Sequence, residues 1–182
     1  PSQMLEEWIW DYDTISVFAK NAAGEVLPKE LFDRMVAARD FGLGMGTRGQ
    51  LSYAGTSLGL YDRDPAGIDF DEHTASMIRT YTKYEPLEGA HSWASFGHLN
   101  GYSAIYYTYQ WSKAIATDMF TKFRDDGLRN VETAQAYRDK VLRSGGSRPA
   151  EASVTDFLGR PISFETYADR LRGTKKALDD DR

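Results

Sequence analysis

The stretch His98-Leu99-Asn100-Gly101-Tyr102-Ser103-Ala104-Ile105-Tyr106-Tyr107-Thr108-Tyr109-Gln110-Trp111 governs the reading of this chain. A glycine-bearing turn follows the histidine, and a helical pattern follows the turn. In a helix, Tyr102, Tyr106 and Tyr109 fall at i, i+4 and i+7, so their hydroxyls share one face. The pattern continues outward to about Arg124, where Gly127 ends the longest helix that the sequence predicts. A row of phenols beside an imidazole can hold a peptide and stabilise an oxyanion. The same row at helical spacing is also what ordinary aromatic core looks like, because periodicity reports burial rather than chemistry. Two features pull toward a site. A core row would more naturally use Leu and Phe, since each buried tyrosine hydroxyl needs a partner. A histidine and a glycine turn directly before the row also suit the wall of a cleft.

Working outward, the rest of the chain reads as helices with short connections. Ser2 can cap a helix from Gln3 whose apolar face is Met4, Leu5, Trp8, Ile9 and Tyr12. Asp13 or Thr14 can cap a continuation to Phe18. Pro28 suits the first turn of a helix carrying Leu31, Phe32, Met35, Val36 and Ala38. Gly42, Gly44, Gly46 and Gly49 predict a loosened stretch, with helix resuming from Leu51 to Tyr61 until Pro65 stops it. Asp71 is the expected cap of a helix over 74–84, and a long loop is expected over 85–101. Further helices are expected over 131–142, 151–158 and 163–171. Strand signals are nearly absent, so the fold class is all-α, a multi-helix bundle of eight or nine helices.

Bulk composition narrows the function. At 182 residues the chain can bury a real core, and 41% hydrophobic with 13% aromatic residues argues for folding rather than disorder. The net charge of −5 and the lack of a basic stripe argue against nucleic acid as a partner. The absence of cysteine rules out disulfides and thiolate metal sites. No apolar run approaches the roughly 20 residues that a membrane span needs. Nothing marks a secretory leader, so a soluble protein is expected, cytoplasmic or periplasmic.

Several motifs carry less than their letters suggest. Gly44-Met45-Gly46-Thr47-Arg48-Gly49 has the spacing of a dinucleotide-binding turn, but a helix precedes it where a strand is required. A hinge beside a cleft and a plain surface loop are the two readings left. His73, His91 and His98 show no H-E-x-x-H arrangement, so no self-contained zinc site is expected. His73 falls at a helix start, where polar residues are solvated. His91 falls in a loop and receives no role. Glu6-Glu7 and Asp179-Asp180-Asp181 read as solvated charge.

Taken together, the ordered motifs resemble the thimet oligopeptidase family of zinc metallopeptidases, which includes neurolysin, oligopeptidase A and dipeptidyl carboxypeptidase. Pro1-Ser2-Gln3-Met4-Leu5-Glu6-Glu7-Trp8 resembles the segment after the third zinc ligand. Phe96-Gly97-His98-Leu99, Gly101-Tyr102 and Tyr106-Tyr107-Thr108-Tyr109-Gln110-Trp111-Ser112 resemble the substrate-binding His/Tyr segment. Asp118-Met119-Phe120, Tyr137-Arg138, Leu142-Arg143-Ser144-Gly145-Gly146-Ser147 and Asp156-Phe157-Leu158-Gly159-Arg160 continue the likeness.

The resemblance implies a helical, two-lobed fold with a deep channel, cutting short unstructured peptides. It implies that residues 1–173 are the C-terminal part of the catalytic domain, while the charged terminal stretch 174–182 reads from its composition as a disordered tail. In the family, two His of H-E-x-x-H and a downstream Glu hold zinc, and that Glu directly precedes the Pro-Ser-Gln segment. The chain opens at Pro1 without an initiator Met, so it is expected to be a piece of a longer protein. On that expectation the zinc ligands lie in the missing N-terminal part, and this chain alone binds no metal and is inactive. By resemblance, Tyr109 and Tyr102 are catalytic, contacting the oxyanion and transition state, while His98 and Tyr106 bind the substrate. The spacing from His98 to Tyr102 is one residue shorter than in the thimet type. The alternatives are a metal-free helical peptide-binding or accessory subunit, and a purely structural degenerate domain.

Overall fold

The computed structural model describes residues 1–173, and the expected tail at 174–182 lies outside the described residues. The described secondary structure is helical, apart from one isolated antiparallel bridge between Lys20 and Val26. The all-α expectation is therefore met. The helices are α1 (Ser2–Leu5), α2 (Tyr12–Phe18), α3 (Lys29–Ala38), α4 (Leu43–Tyr61), α5 (Phe70–Tyr81), α6 (Ser92–Ser95), α7 (His98–Tyr102), α8 (Thr108–Asp126), α9 (Val131–Tyr137), α10 (Ala150–Leu158) and α11 (Glu165–Arg172). Short 3₁₀ segments at Glu6–Trp10 and Pro65–Gly67 and a π-helical turn at Arg138–Leu142 extend or link them. The chain divides into two compact units, one formed by Pro1–Phe41 with the chain from Ser112 onward, the other by Gly42–Trp111.

The first unit is built on an aromatic core. Met4 is fully buried against Met119, Phe123, Tyr137, Val154 and Phe157. Phe123, Tyr137 and Phe157 pack as a triangle with centroids 5.6–5.9 Å apart. Trp8 meets Phe123 edge-on at 4.8 Å and donates its indole N–H to the Leu128 carbonyl at 3.1 Å, so its polar end is satisfied. Leu5 and Ile9, expected on the same apolar face, are exposed, because the chain tightens from α-helical to 3₁₀ at Glu6 and turns them outward.

Glu7 is not solvated charge. Its side chain is 15% exposed and pairs with Arg39 and Arg170, and Arg170 also holds Asp40 at 2.8 Å. Asp118 is buried too, receiving both terminal nitrogens of Arg160 at 2.7 and 2.9 Å and the Ser163 N–H at 2.8 Å. Two of the sequence motifs, Asp118-Met119-Phe120 and Leu158-Gly159-Arg160, are thereby tied through one carboxylate.

The second unit is where the helix boundaries depart most from expectation. The glycine run is not loosened: Gly44, Gly46 and Gly49 lie inside α4, which starts after Gly42 at φ 72°. Each glycine costs the helix about 1 kcal/mol relative to alanine. Arg48 offsets part of this by donating to the Thr80 carbonyl at the end of α5 at 3.0 Å. Further along α4 the glycines permit close packing. A Cβ on Gly55 would lie 2.6 Å from Met77 Sδ, and one on Gly59 would lie 2.3 Å from the His73 ring. His73 is accordingly packed against α4, with Nε2 3.3 Å from the Thr56 carbonyl, rather than solvated. The cap of α5 is Asp69, whose carboxylate accepts the Glu72 N–H at 3.0 Å, and the helix ends at Tyr81. The expected loop over 85–101 contains the short helices α6 and most of α7.

Candidate functional site: a histidine among three tyrosines

The predicted long helix from Tyr102 does not form as one piece. Tyr102 ends α7, a turn follows, and α8 starts at Thr108. The Ile105 N–H donates to the Tyr102 carbonyl at 2.9 Å across this turn. Ser103, its first central residue, has φ 45° and ψ −115°, the backbone of a type II′ turn, where glycine is the usual occupant. The glycine-bearing turn expected after His98 is instead helical, as Leu99–Gly101 lie within α7.

The three tyrosines nevertheless converge, and they do so on His98. The His98 ring centroid lies 5.9 Å from Tyr102, 5.1 Å from Tyr106 and 5.8 Å from Tyr109. The last two contacts are edge-on, at 84° and 82°, so the imidazole sits between phenol rings. Tyr106 and Tyr109 are themselves 5.0 Å apart. A straight helix from 102 to 109 would spread its ends by about 10 Å along the axis. The interruption at Ser103 brings all three within reach of one ring. Tyr102 and Tyr109 remain 55% and 42% exposed, so within this chain they do not form a buried core row.

The hydrogen bonds set what each group can offer. The Tyr106 hydroxyl donates to Gln50 Oε1 at 2.9 Å, leaving its oxygen lone pairs as acceptors. Burial, with smaller contributions from Tyr109 and Tyr53, pushes the Tyr106 phenol above its ordinary value, so it keeps its proton. His98 Nε2 lies 3.2 Å from the Tyr109 hydroxyl. An imidazole protonated on Nδ1 alone accepts the Tyr109 proton. One carrying a proton on Nε2 donates to Tyr109 and leaves the phenol hydrogen to point outward.

Four further residues shape this cluster, and sequence reading passed over all of them. Gln50, Tyr53, Ser57 and Tyr61 lie on one face of α4, within about 80° at 3.6 residues per turn. Tyr53 packs on Phe96 and Tyr106 at 5.2 and 5.7 Å. Tyr61 donates to the Leu99 carbonyl at 2.7 Å, and Ser57 bonds the turn at Ser103 and Tyr106. Tyr53, Ser57 and Tyr61 fall at i, i+4 and i+8 inside the helix expected over 51–61, a signal that was open to reading; only Gln50 lies in the glycine stretch expected to be loosened. His91, given no role from sequence, also has a structural partner. Its Nδ1 and Trp93 Nε1 both bond Asp71 Oδ1, at 2.8 and 2.7 Å, which occupies the residue expected to cap α5.

Among the described residues no group of three His, Asp or Glu side chains is placed to hold a metal ion. No helix among them is long and apolar enough to cross a membrane.

The all-α fold agrees with the class that the sequence motifs suggested, the metallopeptidases of oligopeptidase type. Comparison with known proteins places it further. The model for Peptidase family M3 matches residues 1–173, and the chain belongs to that family. It is 33% identical over 175 residues to organellar oligopeptidase A, chloroplastic/mitochondrial, of Arabidopsis thaliana, covering 91% of this chain and 22% of that protein. It is 31% identical over 170 residues to oligopeptidase A of Escherichia coli (strain K12), covering 88% and 24%. Saccharolysin of Saccharomyces cerevisiae is 32% identical over 183 residues, covering 94% and 25%. The chain thus spans about a quarter of the length of these relatives.

Proposed function

We propose that this chain forms the substrate-gripping wall of a zinc-dependent oligopeptidase, whose zinc and its ligands come from sequence upstream of Pro1. The convergence of Tyr102, Tyr106 and Tyr109 on His98 carries the reading. The names of the relatives support oligopeptide hydrolysis as the activity of the whole protein. Short unstructured peptides are the substrates, and the upstream part of the peptidase is the obligate partner. By itself the chain binds peptide without cleaving it.

Each group has a distinct task. Tyr109 donates its hydroxyl hydrogen to the carbonyl oxygen as negative charge develops there, and Tyr102 reaches the same region. A donor already aimed at that position stabilises the charge without reorganising. His98 contacts the peptide near the scissile bond and sets the direction of the Tyr109 hydrogen. Tyr106, its own proton committed to Gln50, accepts a backbone N–H of the peptide.

Replacing Tyr109 by Phe in the complete zinc-loaded protein tests the reading. One donor of this kind is worth about 10²–10³ in kcat. A fall of that size with zinc content intact is expected, and an unchanged kcat overturns the assignment.

A further inference from the structure

We infer that Ser57 of α4 is the positioning residue that sets the geometry of the His/Tyr wall, by holding the strained turn at Ser103. The inference rests on the reading of that wall as the peptide-binding surface. It concerns a residue that touches neither peptide nor His98.

Ser57 is 1% exposed, among the most buried side chains of the chain. Its hydroxyl donates to the Ser103 carbonyl at 2.5 Å and accepts the Tyr106 N–H at 3.4 Å. One oxygen therefore ties both sides of the interruption between α7 and α8. Ser103 is the single non-glycine with positive φ among the described residues. A serine in that region persists only where its surroundings over-determine it. The local sequence offers no reason for the turn, since nothing from Ser103 to Tyr107 is a helix breaker. The restraint comes from α4. Without it, residues 103–107 can relax toward the continuous helix that their periodicity favours. Tyr102 and Tyr109 would then separate along the axis, and one imidazole could not meet both.

Two observations on neighbouring residues agree. Gln50 fixes the Tyr106 hydroxyl, and Tyr61 fixes the Leu99 carbonyl inside α7. Both lie on the same face of α4 as Ser57. The helix thus acts as a template along the whole segment, with Ser57 at the strained point.

The test uses the complete zinc-loaded protein. Ser57→Ala removes both hydrogen bonds, and kcat/KM for a short peptide is expected to fall about tenfold, as misplacement of reacting groups does. Amide hydrogen exchange at Tyr106 is expected to speed up in the same variant. Ser103→Gly supplies a residue that adopts positive φ freely. Added to Ser57→Ala, it is expected to bring kcat/KM back to within about threefold of the unmodified protein, a rescue that a merely destabilising Ser57→Ala would not show. Ser57→Ala with activity within twofold of the unmodified protein, or a damaged Ser57→Ala that Ser103→Gly does not restore, overturns the inference. Should Ser57→Ala fail to fold, Ser57→Cys with and without Ser103→Gly is judged by the same criterion. Tyr109→Phe measured alongside separates the two levels. If it leaves kcat intact, the wall reading falls, while the Tyr106 exchange still decides whether Ser57 holds the turn. If it is crippling and Ser57→Ala is silent, only the role of Ser57 falls.

Discussion

His98 Nε2 stands 3.2 Å from the Tyr109 hydroxyl, with the two rings nearly perpendicular at 82°. In the role proposed for Tyr109, its phenol can serve an oxyanion only when the imidazole does not claim its proton. We predict that His98→Ala and Tyr109→Phe are strongly non-additive. Groups that act as a unit lose most of their effect with the first removal. The double variant should be hardly worse than Tyr109→Phe alone in kcat/KM. Losses that multiply would show that the two residues act independently.

Tyr106 differs from Tyr109 in where its proton goes. Because that proton bonds Gln50, the residue can hold a peptide but has no hydrogen to give an oxyanion. Tyr106→Phe should therefore raise KM by about three- to tenfold, the worth of one ordinary hydrogen bond, with little change in kcat. Steady-state kinetics on a single peptide decide it. An equal fall in kcat and kcat/KM would place Tyr106 in the transition state instead.

Asp118 and Arg160 differ sharply in exposure, at 1% and 43% for their side chains. Loss of the arginine strands a buried carboxylate, whereas loss of the acid leaves a guanidinium that water can reach. Arg160→Met should destabilise by about 2 kcal/mol, below the 3–5 typical of fully buried pairs because the guanidinium is half in water. Asp118→Asn should cost less. Urea unfolding of the two variants gives the order, and a reversed order contradicts the account.

Hydrogen bonds from His91, then Trp93, hold the Asp71 carboxyl below its ordinary value of 3.8. A depressed carboxyl pKa means the folded arrangement gains stability above the ordinary value and loses it as pH falls through the depressed one. The environment of the Trp93 indole N–H should change as pH falls below about 4, where carboxylates begin to protonate. Asp71→Asn should abolish that acid transition. The indole proton resonance of Trp93 followed down to pH 2 tests it, and an unaltered transition in Asp71→Asn would assign the change elsewhere.

What could be read from sequence follows from how local each cause is. The all-α class was legible because helical periodicity and caps are short-range. Gly127 follows the last residue of α8, where it was expected to end the helix. His98, Tyr102, Tyr106 and Tyr109 do come together, as their place in one motif segment suggested, but not through the helical spacing that predicted a shared face. They meet because a helix breaks, and not because one runs through. That break was hidden, because its cause is Ser57, 46 residues earlier in the chain. The helical state of Gly44–Gly49 was hidden as well. Glycine content argues against helix locally, and the Arg48 tie to Thr80 lies 32 residues away. Asp118 and Arg160 show the same limit, as partners 42 residues apart that neither periodicity nor charge pattern could pair.

Gly55 and Gly59 lie on the face of α4 opposite Gln50, Ser57 and Tyr61, and there they press against Met77 and His73. The helix is thus gripped from behind by contacts that tolerate no added atom. A Cβ at residue 59 would run into the His73 ring, which would have to move. The aim of the tyrosines is therefore encoded partly by side chains that do not exist. A single methyl group placed at residue 59, between Ser57 and Tyr61, should be felt in the wall that those two residues hold.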